Sequence, residues 1–280
     1  MKRYYICSDM EGIAGISNFK EMETQAGYAS KMMTSEINAV CAAINKYSPG
    51  FSEGELDIVV ADSHAVGTNI CHGDLCENVK LIRGFPRSYY MMPCIDKSFE
   101  ALFIAGHHAR AGTMEAGMDH TFSGSAIYSV EINGSQAGEF EINAALAGHY
   151  KVPVAYVSGD DKFIEQISVY KEKLGFETVV TKRAIARYSA VLDHPKKVYA
   201  AIDGAVKKTM AEKKWEGKYF TYQYPLKIKI ELLNTVKTDM AALIPVVQRL
   251  GGRAIYFEAP DFPYFYNMFC AITLICWNDR

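Results

Sequence analysis

The chain has 280 residues, 49% of them hydrophobic, with 30 Lys+Arg against 32 Asp+Glu and a net charge of −2. That is enough apolar material for a substantial core, it argues against disorder, and it lacks the basic balance that nucleic-acid binding calls for. Seven cysteines are an odd number and too few for a disulfide framework at this length, so the expectation is a soluble, reduced, cytoplasmic globular protein.

Tyr4–Ser8 predicts a short strand. Asp9 and Glu11 end the apolar run behind Lys2 and Arg3, which is too short for a secretory leader. Ala29–Tyr47 predicts a helix with Met33, Ile37, Val40, Cys41 and Ile44 on one face, stopped by Ser48, Pro49 and Gly50. Leu56–Ala61 is a β-branched run suited to a strand covered on both faces. Val79–Ile82 and Ala101–Ala105 are further strands, and Ile127–Ile132 is a strand entering an Asn133-Gly134 turn. A helix over Glu139–Tyr150, a strand over Val152–Ser158 and a helix from Asp160 to Lys173 continue the alternation. The chain beyond Phe176 is less regular. Residues 190–210 contain a helix and 211–218 a polar connector. Strand Leu226–Leu233, helix Thr235–Leu250, strand Arg253–Ala259 and helix Asp261–Trp277 close the chain. In the last helix Phe262, Phe265, Phe269, Ile272 and Cys276 form a core-facing stripe. It is shorter than a usual bilayer span and contains Pro263 and Asn267, so a buried helix is expected, not a membrane anchor. The βαβ rhythm implies an α/β fold, a mostly parallel sheet flanked by helices, with a catalytic domain at 1–210 and a smaller C-terminal α/β lobe at 219–280.

In open α/β sheets function gathers past the carboxyl ends of strands. Those positions hold Asp9 and Glu11 after the first strand, Asp62-Ser63-His64 after the second, and His107-His108-Ala109-Arg110 after the Ala101 strand. Carboxylates and imidazoles on one edge suit zinc. Their number exceeds what one ion needs, which favours a two-metal centre with a shared carboxylate. Glu139, at the start of a helix, is either a first-turn acid favoured by the helix dipole or a further ligand. Asp9, Glu11 and Glu139 with two zinc ions would leave one positive charge, which a bridging hydroxide would cancel. Asp62 and Asp160 read as helix caps. His107 and His108 are adjacent, so at most one is expected to be a ligand. His72, His149 and His194 read as surface or core histidines, and Cys71 and Cys76 have no metal or redox spacing. No Walker A, GxGxxG or GxSxG motif occurs.

The segments Ser8-Asp9-Met10-Glu11-Gly12, Asp62-Ser63-His64, His108-Ala109-Arg110-Ala111, Met118-Asp119-His120 and Gly138-Glu139 together resemble, in order and spacing, the zinc-dependent D-aminopeptidase family of dipeptide-transport operons. The resemblance covers nearly the whole chain. It implies Asp9, Glu11, His64, His108 and Glu139 as ligands of two zinc ions, with Asp9 bridging, and His120 as the catalytic histidine. It also implies a homo-oligomer, a decamer of two pentameric rings. His107 departs from the family's usual aromatic or small residue, and the 108–120 loop is about one residue longer. The expected activity is removal of N-terminal residues, plausibly D-configured, from short peptides by a metal-activated hydroxide. His120 serves as acid/base, since the metal already supplies a nucleophile. His107 is a candidate substrate contact. Arg110 is either a partner for a substrate carboxylate or a structural ion-pair residue. No nucleic-acid or membrane partner is expected. The rival readings are a metal-dependent hydrolase of another amide or ester and a non-catalytic small-molecule-binding protein on the same fold.

Overall fold

The computed structural model describes residues 1–49, 54 and 56–277. Gly50, the expected helix stop, and residues 278–280 of the expected C-terminal lobe lie outside these. The first sheet has seven strands in the order β3-β2-β1-β4-β7-β8-β9. They are β1 (Lys2–Ser8), β2 (Leu56–Asp62), β3 (Val79–Ile82), β4 (Ala101–His107), β7 (Val154–Asp160), β8 (Glu177–Ala186) and β9 (Ser189–Leu192). All pairs are parallel except β8 with β9. The α/β class with a mostly parallel sheet is therefore as the sequence predicts.

Both faces of this sheet are covered, which explains why its strands read as unbroken apolar runs. Tyr4 and Ile6 of β1 pack to one side with Ile58, Val60 and Phe103, under α2 (Ala26–Tyr47) and α5 (Pro195–Glu212). Tyr5 and Cys7 point the other way with Val59, Leu102 and Ile104. That second core runs on through α3 (Glu139–His149), α4 (Asp161–Leu174) and α7 (Phe262–Trp277) into a further sheet. Helix α3 is buried on nearly every side, because it is sandwiched between the sheet and α7. The predicted stripe of α7, Phe262, Phe265, Phe269, Ile272 and Cys276, is fully buried.

The second sheet has the order β11-β12-β10-β5-β6. Its strands β10 (Leu226–Leu232), β11 (Gln248–Arg249) and β12 (Ala254–Ala259) come from the C-terminal segment. The other two, β5 (Ile127–Ile132) and β6 (Ser135–Gln136), come from the middle of the chain. Helix α6 spans only Thr235–Ala241, shorter than the predicted Thr235–Leu250. Pro245 disfavours helical geometry at Ile244, and the chain turns there so that Gln248 can pair with Tyr256. Strands β8 and β9 and the short helix α1 (Phe19–Thr24) were not anticipated. Among the described residues no helix is long and apolar enough to cross a membrane.

Candidate metal centre

Strand β1 is flanked by β2 on one side and β4 on the other. Connections leaving this point run in opposite directions, which opens a crevice at the carboxyl ends. The loop after β1 is laced to β4: Asp9 N donates to Ala105 O at 2.9 Å and Gly12 N to Gly106 O at 2.7 Å. A Cβ on Gly12 would lie 1.8 Å from His107 O, closer than any side chain tolerates. Gly12→Ala is therefore expected to cost about 3 kcal/mol or more and to displace Asp9 and Glu11. Thermal melting and zinc content, measured on one preparation, check both effects; unchanged values would show that this backbone contact is dispensable.

From the far side β8 holds the same loop. Lys182 is 3% exposed. Its Nζ donates to Ile13 O at 3.0 Å, to Ile16 O at 2.6 Å and to Glu11 O. Thr181 Oγ1 donates to Gly12 O.

Six side chains converge in the crevice. His64 Nδ1 lies 2.8 Å from Glu11 Oε2 and 3.3 Å from Asp9 Oδ1. His108 Nε2 lies 3.4 Å from Asp9 Oδ2 and 3.5 Å from Glu139 Oε2. His120 Nε2 is 3.9 Å from Glu11 Oε1 and 4.0 Å from Glu139 Oε1. Its ring stacks on His108 with centroids 4.0 Å apart. Glu139, in the first turn of α3, accepts from Phe122 N at 2.8 Å through Oε1. The His108 Nδ1–H donates to Ala109 O at 2.9 Å, which turns Nε2 toward the carboxylates. Such outer hydrogen bonds set the tautomer and aim of a metal-ligating imidazole.

Burial acts to raise Asp9, and repulsion from Glu11 adds to it, so that carboxyl sits above its usual range. Burial acts to raise Glu11 and Glu139 as well. The charge and hydrogen bond of His64 overcome it at Glu11, and His108 and His107 overcome it at Glu139, so both carboxyls sit well below the usual range. Burial would lower the imidazoles, yet Glu11 and Asp9 carry His64 well above its ordinary value, and Glu139 with Asp9 lifts His108 to about 10. The crevice thus favours positive charge strongly. His108 Nε2 and Glu139 Oε2 are buried and make no hydrogen bond. Asp9 with Glu11 and His64, and Glu139 with His108 and His120, each place ligand atoms within 4.8 Å of one another. Clustered carboxylate and imidazole donors, some buried without hydrogen-bond partners, fit divalent zinc.

The structure thus brings Asp9, Glu11, His64, His108, His120 and Glu139 together. His107 and His108 do not diverge as expected of neighbours: His107 Nδ1 also approaches Glu139 Oε2, at 3.6 Å. Gly106 has φ +74° and the β4–β7 register shifts between Ile104 and His107, which breaks the alternation of a regular strand. His107 is fully buried. Its Nε2 lies 3.6 Å from Cys7 Sγ, beneath the cleft and not on its wall. Arg110 is outside the cleft too, its Nε donating to Gln136 Oε1 at 3.2 Å. Asp62 anchors the loop after β2 by accepting from Asn69 N and Ile70 N at 2.6 and 2.8 Å. Asp160 caps α4 as expected, accepting from Phe163 N at 2.9 Å. His72, His149 and His194 are exposed.

A cleft of about 520 Å³ opens over five of the six, Asp9, Glu11, His64, His120 and Glu139, and is walled also by Phe19, Glu23, Tyr90, Phe122, Arg187 and Tyr188. Lys182, Arg187 and Tyr90 stand in no motif that would mark them in the sequence. The β-branched run Thr178-Val179-Val180-Thr181 was the available signal for β8, but nothing local shows where that strand's Lys182 points.

The chain matches the D-aminopeptidase family model over residues 1–271. It is similar to a D-aminopeptidase of Bacillus subtilis (strain 168), 26% identical over 278 residues that cover 97% of this chain and 96% of that protein. Its fold matches that of the Zn-dependent D-aminopeptidase DppA from Bacillus subtilis, a self-compartmentalizing protease. There the TM-score is 0.89 at 25% identity, over 99% of this chain and 98% of that chain. With the family model matched across both sheets and every segment of the carboxylate–histidine crevice, the chain belongs to the D-aminopeptidase family.

Proposed function

We propose that this chain is a binuclear zinc aminopeptidase that removes N-terminal D-residues from short peptides. The observation that carries the binuclear reading is Asp9. Its Oδ1 faces His64 and its Oδ2 faces His108, so one carboxylate serves two neighbouring groups of donors. Asp9, Glu11 and His64 would hold one zinc, and Asp9, His108 and Glu139 the other. Bound there, zinc would polarise the scissile carbonyl and lower the pKa of the attacking water.

His120 is the proton carrier. Its Nδ1–H donates to Met118 O at 2.9 Å, which leaves Nε2 on the cleft side to protonate the departing amine. Phe19 packs edge-on against the His120 ring at 5.8 Å and limits its swing. Glu139 keeps its aim through the Phe122 N–H. The seven free cysteines support a reducing, cytoplasmic location. The description of the related structure as a self-compartmentalizing protease supports a closed homo-oligomer, a decamer of two pentameric rings, whose inner sites only small peptides reach.

The test is metal content per chain measured beside turnover of D- and L-alanyl dipeptides. We expect two zinc ions per chain, faster turnover of the D-dipeptide, loss of activity with a strong chelator and recovery on adding zinc. Full activity at one zinc per chain would overturn the binuclear reading. Turnover of esters or cyclic amides with none of dipeptides would overturn the peptidase reading.

A further inference from the structure

We propose that Arg187 binds the C-terminal carboxylate of the substrate and so makes the enzyme selective for short peptides with a free acid end. This rests on the peptidase reading above and extends it to the other end of the substrate. The cleft wall carries four carboxylates, Asp9, Glu11, Glu23 and Glu139, and Arg187 is the single Arg or Lys among its lining residues. Two zinc ions would neutralise Asp9, Glu11 and Glu139, which leaves Glu23 as the wall's free carboxylate to draw a peptide's ammonium end and Arg187 as its side-chain cation. In a dipeptide both ends enter together, so the acid end needs a cation on the wall, and Arg187 is the residue placed to supply it.

The position of Arg187 is built and not incidental. It lies in the turn between β8 and β9, and its backbone carbonyl accepts from Met118 N at 2.7 Å. Its Nη2 donates to Asp119 O at 3.1 Å, and its Nε lies 3.4 Å from Asp119 Oδ1. Both contacts fix it to the segment that ends in His120. A Cβ on Gly124 would stand 3.5 Å from His120 Cβ and 3.8 Å from Arg187 Nη2, so the absent side chain leaves a gap between the proton carrier and the guanidinium. Tyr188 supports the guanidinium at 5.6 Å, and Phe19 packs on Tyr188 at 6.0 Å. The Arg187 side chain is 45% exposed, and among the described residues Nη2 makes its only hydrogen bond. A guanidinium has five N–H donors in a fork that matches a carboxylate, so it can hold Asp119 and still receive a ligand.

The experiment uses the zinc-loaded full-length protein and two probes, D-alanyl-D-alanine and its C-terminal amide. A charge-assisted pair of this kind discriminates about 10- to 100-fold. We expect the wild type to favour the acid over the amide by that factor in kcat/KM, chiefly through KM. In Arg187→Gln the ratio should collapse toward unity, and Arg187→Lys should restore part of it. If Arg187→Gln lowers both substrates together and keeps the wild-type ratio, Arg187 only anchors the Asp119 segment and the proposal is overturned. A wild type without preference for the acid overturns it equally. If the wild type cleaves the amide but not the acid, carboxylate recognition is refuted while the peptidase reading stands. If it cleaves neither, the peptidase reading falls and this one with it.

Discussion

Asp9→Asn is expected to lower kcat/KM by about 10³-fold or more, about 4 kcal/mol of transition-state stabilisation, with a matching loss of zinc. The replacement preserves shape, and an Asn oxygen can still accept from Met10 N, which Asp9 Oδ1 does at 2.9 Å. What it removes is one charge and one of two oxygens that face opposite ligand groups. The metal-free variant should be no less stable than the metal-free wild type, because burial first and repulsion from Glu11 second hold the Asp9 carboxyl above its usual range, against the pull of His64. Zinc should therefore raise the melting temperature of the wild type much more than that of the variant. Melting curves with and without chelator, beside dipeptide kinetics, read both effects. A variant that keeps its zinc and its turnover would sink the bridging assignment.

Lys182→Met carries the second large effect, although Lys182 donates only to backbone carbonyls in the crevice loop. It leaves the carbonyls of Glu11, Ile13 and Ile16 without the ammonium that now serves them. Each unmet buried acceptor costs about 1–3 kcal/mol, so a loss of about 3–5 kcal/mol in stability is expected once partial relaxation is allowed for. Because the loop carries Asp9 and Glu11, zinc affinity should fall about 10- to 100-fold, as for other supports of metal ligands. Denaturant titration of the metal-free protein and zinc competition against a chelator separate the two terms. Lost stability with unchanged zinc affinity would show that the ligands are held by β1 and β4 alone.

The strands that build the crevice were legible because they are buried on both faces. Leu56–Ala61 and Ala101–Ala105 stand out as apolar runs, and the polar residues following them mark the sheet edge. Asp9, Glu11, His64 and His108 could therefore be placed at strand ends. Glu139 and His120 do not lie at strand ends; the charge sum pointed to Glu139, and the family resemblance alone singled out His120. Glu139 comes from the start of α3, and His120 from a loop more than ten residues past β4. Strand β8 was hidden because its burial follows no regular alternation: Thr181 and Lys182 are both buried, and Ile185 and Ala186 are both exposed.

Taken alone, the sequence determined the parallel sheet, the helices that cover it and the acidic and histidine residues at three strand ends, because those depend on local periodicity and on where apolar runs stop. Tertiary structure alone decided the rest. Both imidazoles of the His107-His108 pair turn toward Glu139 because Gly106 and the neighbouring register shift break the strand's alternation. The loop of Asp9 and Glu11 is tied down by Lys182, 171 residues away from Glu11. The guanidinium on the cleft wall belongs to Arg187 and not to Arg110. Contacts of that separation come from strand order and packing, which a reading of neighbouring residues does not contain.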